Sequence, residues 1–422
     1  MNNHISNPWT LPENIANIPL DEIVRKGAQK MLQQALEVEV EMFLEKYQYI
    51  LDANGNRLVV RNGHANERDI ITGAGQVEIR SPRVDDRILD KHKEQRFSSS
   101  IIPPSLRRTK NIDELIPVLY LKGISTGNFT EALEKILGKQ VIGLSAQNVV
   151  RLKKVWEDEY NEWNKRDLSG EEYVYWWVDG IYFNVRLDDE RQCMLVIVGA
   201  KPDGTKEVVA IYDGFRESKE SWRSVIRALK RQGLTKWPRL AIGDGALGFW
   251  AAAQEELPTT KHQMCWVHKT ANVLDKMPKS LQGKAKAMIQ DIYLAPTKKD
   301  ANISFDVFIE EFEAKYPKAV DSMRKHRERL LEFYNYPAEQ WVHIRSTNVI
   351  ESTFATVRLR TVRTKGCGTR MATLTMVYKL IQSAQKRWTK LRGNKKIKQV
   401  WNGIKFEDGI MVGVKKEELV TA

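Results

Sequence analysis

The stretch YVYWWVDGIYFNV, residues 173–185, decides how this chain folds. Its apolar and aromatic residues run on without the polar alternation of a half-exposed strand, so it reads as strand buried on both faces. One aspartate, Asp179, interrupts it, and Gly180 follows. Further on, RLAIGDGALG, residues 239–248, repeats the device with Asp244 and Gly245. An aspartate just beyond an apolar strand sits at a sheet edge, within reach of solvent and substrate. If the two strands are neighbours, their carboxylates converge on one point.

The surrounding rhythm is α/β. VYWWVDG, IYFNVRL, QCMLVIVGA and KEVVAIYDG make four strand-like runs, ESWRSVIRALKRQG reads as a helix, and PRLAIGD is a fifth strand. Hairpin-like strands followed by a crossover helix and another strand predict a mixed sheet with helices packed on it.

Like charges held close repel unless something neutralises them. Magnesium does so as a hard cation that takes carboxylate oxygens and keeps several waters. Two such ions about 3.5–4 Å apart activate an attacking oxygen and stabilise a leaving one in phosphodiester chemistry. Either Asp-Gly alone reads more simply as a turn closing a strand. The repetition, with a glycine leaving backbone room for a phosphate, favours a site. Spacing does not choose a third ligand among Glu310, Glu311, Glu328, Glu332 and Glu351, although Glu351 opens a helix as the last acid before a basic segment.

HQMCWVHK, residues 262–269, places His262, Cys265 and His268 at intervals of three. Zinc takes four ligands; three are local and no CxxC accompanies them. A Cys–His nucleophile is disfavoured because no orienting acid stands nearby.

Charge says what such a site acts on. Of 67 Lys and Arg and 54 Asp and Glu, residues 352–406 take fourteen of the former and none of the latter, leaving the remainder about neutral. A one-signed segment of this kind is the footprint expected for a polyanion. Leu374, Val377, Leu380, Ile381 and Trp388 keep a helical apolar stripe through it, which predicts a folded element rather than a solvated tail. Three scattered cysteines make no disulfide framework, and neither a secretory signal nor an eighteen-residue apolar run is present, so a cytoplasmic protein without a membrane span is expected.

Upstream, residues 21–47 read as one amphipathic helix and 55–86 as a hairpin, with SSSIIPPSLR as a linker. Residues 112–160 suggest three short helices and a helix-turn-helix unit. On the third, Val149, Leu152 and Trp156 would face a core, and Gln147, Asn148, Arg151 and Lys154 a groove. Any small helical bundle has a polar face, so pattern alone leaves that reading level with the plainer one. Residues 276–340 are helical and highly charged.

These blocks resemble the DDE transposases of the bacterial Mutator-like insertion-sequence group. VDGIYFNVR with KPDGTKEVVAIYDGFRESKESWRSVIRALKRQGL is similar to the family's first-aspartate block. GDGALGFWAAAQEELPTTKHQMCWVHKTANVL resembles the second, with its Cys-x-x-His motif, and RSTNVIESTFATVRLRT the third, where the family has Asn-x-Ile-Glu. The likeness spans roughly residues 20–395. It implies Asp179, Asp244 and Glu351 as a catalytic, metal-binding triad for Mg2+, with Mn2+ able to substitute, on an RNase H-like mixed sheet with flanking helices. Cys265 and His268 carry over as a motif that buttresses the site or DNA. The family usually has Arg-Asn after that histidine, and here Ala271-Asn272 stands instead.

The organisation so implied is an N-terminal helical and hairpin region at 1–106, a helix-turn-helix unit at 107–165 and the first part of the core at 171–275. A helical insertion follows at 276–340, then a core helix with a basic clamp at 341–406 and a tail at 407–422. Arg358, Arg360, Arg363, Lys365 and Arg370 would hold phosphates of double-stranded DNA. The activity implied is cleavage at terminal inverted repeats and transfer of 3′-hydroxyl ends into target DNA, in a homodimer or larger assembly near the bacterial nucleoid. Rival readings are a structure-specific nuclease on the same fold, which cuts without joining, and a DNA-binding regulator with a dead site. His326 and Arg329 form the H-x-x-R of a tyrosine recombinase, but within a charged helix they read as surface.

Overall fold

A computed structural model describes residues 18–89, 96–121, 131, 134–135, 146–185, 191–214, 216–245, 248–363 and 369–413. The chain divides into two compact units, Met1–Val149 and Val150–Ala422.

In the first unit, helix α1 (Leu20–Lys46) packs on short antiparallel pairs. Strands β1 (Val60–His64) and β4 (Pro82–Asp85) form one pair, and β2 (Arg68–Thr72) and β3 (Gly75–Ile79) the other, closed at Thr72 and Gly75. Leu36, Ile70, Val77, Ile79 and Ile102 make its core. The segment read as a linker is packed instead. Arg68 donates to the carbonyls of Ile102, Pro103 and Pro104, and Glu39 accepts from Ser99, Ser100 and Ile101. Serine and proline gave it a linker's composition, but here the hydroxyls serve a half-buried acid. Helix α2 (Lys110–Leu121) follows; residues 122–130, where the middle helix of the helix-turn-helix reading begins, lie outside the described residues.

Helix α3 (Ala146–Trp163) leads into the second unit, where Trp156 and Tyr160 are buried and the Tyr160 hydroxyl donates to the Ile211 carbonyl at 2.8 Å. A five-stranded mixed sheet comes next, built from β5 (Tyr175–Phe183), β6 (Gln192–Ala200), β7 (Lys206–Gly214), β8 (Leu240–Gly243) and β9 (Lys261–Met264), in the order β7-β6-β5-β8-β9. The first three strands are antiparallel neighbours, while β8 and β9 run parallel to β5 and to each other. Two details differ from the sequence pattern. The runs on either side of Asp179-Gly180 are one strand, because Asp179 stays in register with Val196 on β6. The stretch KHQM, too short and polar to signal a strand, pairs with β8 as an edge.

Both faces of β5 are covered, which explains a run apolar at every position. Trp176 and Val178 face a core with Cys193, Leu195 and Ile197 beneath α4 (Lys219–Arg231) and α5 (Phe249–Glu256), which contribute Trp222, Ile226, Leu229, Phe249 and Trp250. Ser218 caps α4 by accepting from the Ser221 amide. Tyr175 and Trp177 face the other way. Trp177 donates its indole N–H to the His343 carbonyl at 3.0 Å, and the Tyr175 hydroxyl bonds the buried Gln340 side chain.

After β9 come α6 (Trp266–Leu274) and a helical stretch, α7 (Lys279–Leu294), α8 (Lys298–Phe312), α9 (Pro317–Arg324) and α10 (Arg327–Leu330). Phe305, Phe308, Phe312 and Met323 are buried there. Then α11 (Trp341–Ile344) leads to α12 (Asn348–Arg363), α13 (Arg370–Gln385) and α14 (Asn394–Trp401). Helix α12 packs on β5 through a buried stripe of Ile350, Phe354 and Val357, and α13 packs on β7. The basic segment is therefore folded, and Leu374, Val377, Leu380 and Ile381 are buried in it. Among the described residues no helix is long and apolar enough to cross a membrane.

Candidate active site

Asp179 and Asp244 meet because β5 and β8 are parallel neighbours. Trp177 pairs with Ile242, and two residues beyond each of them comes an aspartate. Strand alternation puts Asp179 on the face of Tyr175 and Trp177, the face that α12 covers. Asp179 therefore lies inside a strand, paired and only 8% exposed, rather than just past its end. Asp244 does follow the last residue of β8. In both Asp-Gly pairs the glycine amide donates to the preceding carboxylate, at 2.9 Å in Gly180 and 2.5 Å in Gly245.

The sequence reading gave the glycine after Asp179 to a phosphate. A side chain already fills that room: a Cβ on Gly180 would stand 2.2 Å from Oε1 of Glu217. Glu217 was not among the candidate residues, because a glutamate beside a helix cap looks like ordinary surface.

Glu351 lies in the first turn of α12. Thr347, buried just ahead of that helix, is 2.5 Å from Glu351 Oε1, 3.2 Å from Cys265 Sγ and 3.4 Å from His268 Nδ1. A hydroxyl has one proton to give, and the shortest contact, to a charged acceptor, takes it. The Thr347 amide also donates to Cys265 Sγ at 3.3 Å. Cys265 immediately precedes α6, its side chain making no capping bond, and His268 stands on the first turn, so the Cys-x-x-His spacing aims both at the entry to α12. His268 Nε2 lies 3.8 Å from Glu351 Oε1.

One ligand atom from each of Cys265, His268 and Glu351 lies within 4.8 Å of the others, a group able to hold a metal. Neither aspartate belongs to it; the Glu351 carboxylate rests on Thr347 and His268. His262 is not part of it either: its ring packs on Trp250, with centroids 4.8 Å apart, and burial lowers it to about 4. Ala271, where the family arginine is missing, is exposed on α6.

The electrostatics are those of crowded acids. Burial raises Asp179 to about 6, against the pull of His268 and the Gly180 amide, with Glu351 and Asp244 adding to the rise. Burial, then Asp179 and Asp244, raise Glu217 to about 7. A hydrogen bond with Cys265 raises His268 to about 9, supported by Asp244 and Asp179. Lys269, 5% exposed, donates to the Ser322 carbonyl at 3.1 Å and meets His326 Nδ1 at 3.1 Å, so His326 is not a bare surface residue. Oxygen donors such as those of Asp179, Asp244 and Glu351 suit a hard divalent cation, whereas Cys265 and His268 are softer donors; His268 stands beside Glu351 and Cys265 beside Thr347.

The residues read as DNA contacts fare unevenly. Arg151 and Lys154 are exposed on α3, and Lys154 pairs with Glu157 and Asp158 of its own helix. Arg358 is exposed on α12, while Arg370 forms a two-pronged bond to Asp213 at 3.0 and 2.6 Å. Lys365 lies outside the described residues, as do the side chains of Gln147, Asn148, Arg360 and Arg363. Lys379, Lys390 and Lys396 pair with Glu159, Asp203 and Glu339. The basic segment holds no acid of its own, but Asp213, Glu159, Asp203 and Glu339 reach its described residues from other elements.

The family described as "Transposase, Mutator family" matches residues 10–391. The chain is 52% identical over 298 residues to the transposase for insertion sequence element IS6120 of Mycolicibacterium smegmatis, covering 71% of this chain and 92% of that one. It is 48% identical over 287 residues to the transposase for insertion sequence element IST2 of Acidithiobacillus ferrooxidans, covering 66% and 95%. Among solved structures, the Drosophila P element transposase strand transfer complex aligns over 75% of this chain and 88% of that one, with a TM-score of 0.28 and 10% identity, too distant to carry an argument.

Proposed function

This chain belongs to the Mutator family of transposases, and on that premise we propose that it is a DDE transposase. In this reading it cuts DNA at the terminal inverted repeats of its own element and joins the freed 3′-hydroxyls to target DNA. The observation that carries the proposal is the parallel pairing of β5 with β8, which brings Asp179 level with Asp244, beneath the helix that bears Glu351. The order β7-β6-β5-β8-β9, antiparallel then parallel, supports an RNase H-like core.

Asp179, Asp244 and Glu351 would hold Mg2+, or Mn2+ in its place, and the donor set fits such an ion. When bound, divalent cations supply the positive charge that activates an attacking oxygen and stabilises the leaving one. The chain's own part is to set the acids. The Gly180 and Gly245 amides orient the two aspartates, and Thr347 fixes Glu351 through Cys265 and the start of α6. Packing of Ile350, Phe354 and Val357 keeps α12 on the sheet, so the third acid cannot drift from the first two.

DNA would lie along the basic surface of α12 to α14, with Arg358, Arg360, Arg363, Lys365 and Arg370 near phosphates. Arg151 and Lys154, exposed on α3, would assist at the repeats, together with Gln147 and Asn148 of the same helix. Arg370 and Lys154 would have to exchange their acidic partners for phosphate. Joining two ends calls for at least a homodimer.

The test pairs wild type with Glu351→Gln, each given Mg2+ and the DNA flanking its own gene, and scores nicked and joined products. Wild type should cut and join while the variant only binds. Cutting without joining would favour a nuclease. Tight binding with both proteins inert would favour a regulator.

A further inference from the structure

We propose that Glu217 is a fourth carboxylate of this site, reaching the paired aspartates from the sheet face opposite Glu351 and sharing in the hold on the divalent cation. The proposal rests on the two-aspartate reading above. Asp179 and Gly180 are successive residues of β5, so their side-chain directions point to opposite faces. Asp179 points toward α12. Gly180 points to the face of Trp176 and Val178, under α4 and α5. There the Glu217 carboxyl takes the place that a side chain at 180 would need, with Cδ 2.4 Å and Oε1 2.2 Å from a Cβ built on the glycine.

A glycine beyond the second aspartate packs on the backbone that carries Glu217. The Gly248 amide, four positions after Asp244, donates to the Glu217 carbonyl at 3.0 Å, and a Cβ there would come within 2.6 Å of that oxygen. Gly180 thus leaves room for the Glu217 side chain, and Gly248 for the backbone of residues 217–219 that carries it. Tyr182, on the same face of β5 as Gly180, stands near enough to the Glu217 carboxyl to favour its charged form. An acid clamped this way against two others costs energy, and a cation shared by all of them offsets it.

The experiment measures Mn2+ binding to the full chain without DNA, by calorimetry and by electron paramagnetic resonance. Wild type should bind Mn2+ and Asp179→Asn should lose it. Glu217→Gln should weaken at least one ion by about tenfold or more. Gly180→Ala, which keeps every acid but takes the room of Glu217, should do the same, and the double variant should add little. Circular dichroism melts establish that each variant is folded; should Glu217→Gln fail to fold, Gly180→Ala carries the test. If Glu217→Gln or Gly180→Ala binds Mn2+ like wild type while Asp179→Asn does not, the fourth carboxylate is refuted and the two-aspartate reading stands. If wild type itself binds no Mn2+, that reading falls and takes the proposal with it.

Discussion

Thr347 lies one helical turn before Glu351 and gives its hydroxyl proton to that carboxylate across 2.5 Å, while its amide is held by Cys265. Glu351 is therefore aimed by a threonine, and the threonine by Cys265 of the Cys-x-x-His motif. Thr347→Val keeps the shape and removes the donor. A hydrogen bond to a charged group contributes about 1.5–3 kcal/mol, so strand cleavage should fall by roughly ten- to a hundredfold. Thr347→Ser should retain most of it. Single-turnover nicking rates decide the matter, and an unimpaired valine variant would remove Thr347 from the site.

Asp179→Asn should abolish cutting and joining while raising the melting temperature in EDTA. The carboxylate is buried among other acids, and an amide of the same shape carries no charge to desolvate. A variant that is both inactive and less stable than wild type would contradict this account of the site.

The same burial fixes a dependence on pH. Asp179 is raised to about 6, so between the ordinary carboxylate range and that value the folded chain binds a proton that the unfolded chain has released. Stability from this source is present at low pH and lost as pH rises through about 6. His268, raised to about 9, stabilises the fold below its ordinary range and loses that contribution as pH climbs to about 9. In EDTA, the melting-temperature gap between Asp179→Asn and wild type should widen from about pH 4 to about pH 6.5. The advantage of wild type over His268→Gln should shrink between about pH 7 and about pH 9.5. Gaps that stay flat with pH would refute both assignments.

Gly248→Ala tests the packing behind the second aspartate. Its Cβ would meet backbone atoms of Ser218 and Lys219 at 2.4 Å, and backbone cannot swing aside as a side-chain tip can. Destabilisation of about 1–3 kcal/mol is expected from chemical denaturation. Gly283→Ala, inside α7 with nothing near its Cβ, should instead stabilise by about 0.5–1 kcal/mol.

The basic segment should bind DNA with fewer charges than its composition offers. Lys386 and Arg387 are exposed at the end of α13, whereas Lys396 is paired with Glu339. Replacing Lys386 or Arg387 by Ala should reduce the slope of log affinity against log salt by about 0.9 each. Lys396→Ala should change it less. Equal effects at all three positions would mean that the ion pair seen here is not kept on DNA.

Much of the core was legible because burial on both faces leaves a continuous apolar run, and such runs marked β5 to β8. Asp179 and Asp244 were legible as the exceptions in those runs. Where the strand ended was not, since Asp-Gly signals a turn locally while its pairing with Val196 and Leu195 on β6 is settled by a distant segment. β9 was missed because four mixed residues carry no period. Thr347 and Glu217 were missed for another reason: their roles depend on what stands across from them, at Cys265 and Gly180, and nothing in the local sequence records that. The ion pairs that quiet the basic segment are likewise made with acids far away in the chain, such as Asp213 and Glu159.

Tyr175 and Trp177 find their partners at Gln340 and His343, more than 160 residues later. A ribosome delivers the aromatic strand well before it delivers the segment that closes over it. Until then one side of the sheet is bare, and the third acid has not been made. The growing polypeptide thus exposes an apolar sheet face, and a chain broken off before α12 keeps it exposed. Under the proposed function, the centre would be completed only near the end of synthesis. The same delay makes truncated products candidates for aggregation rather than for partial activity.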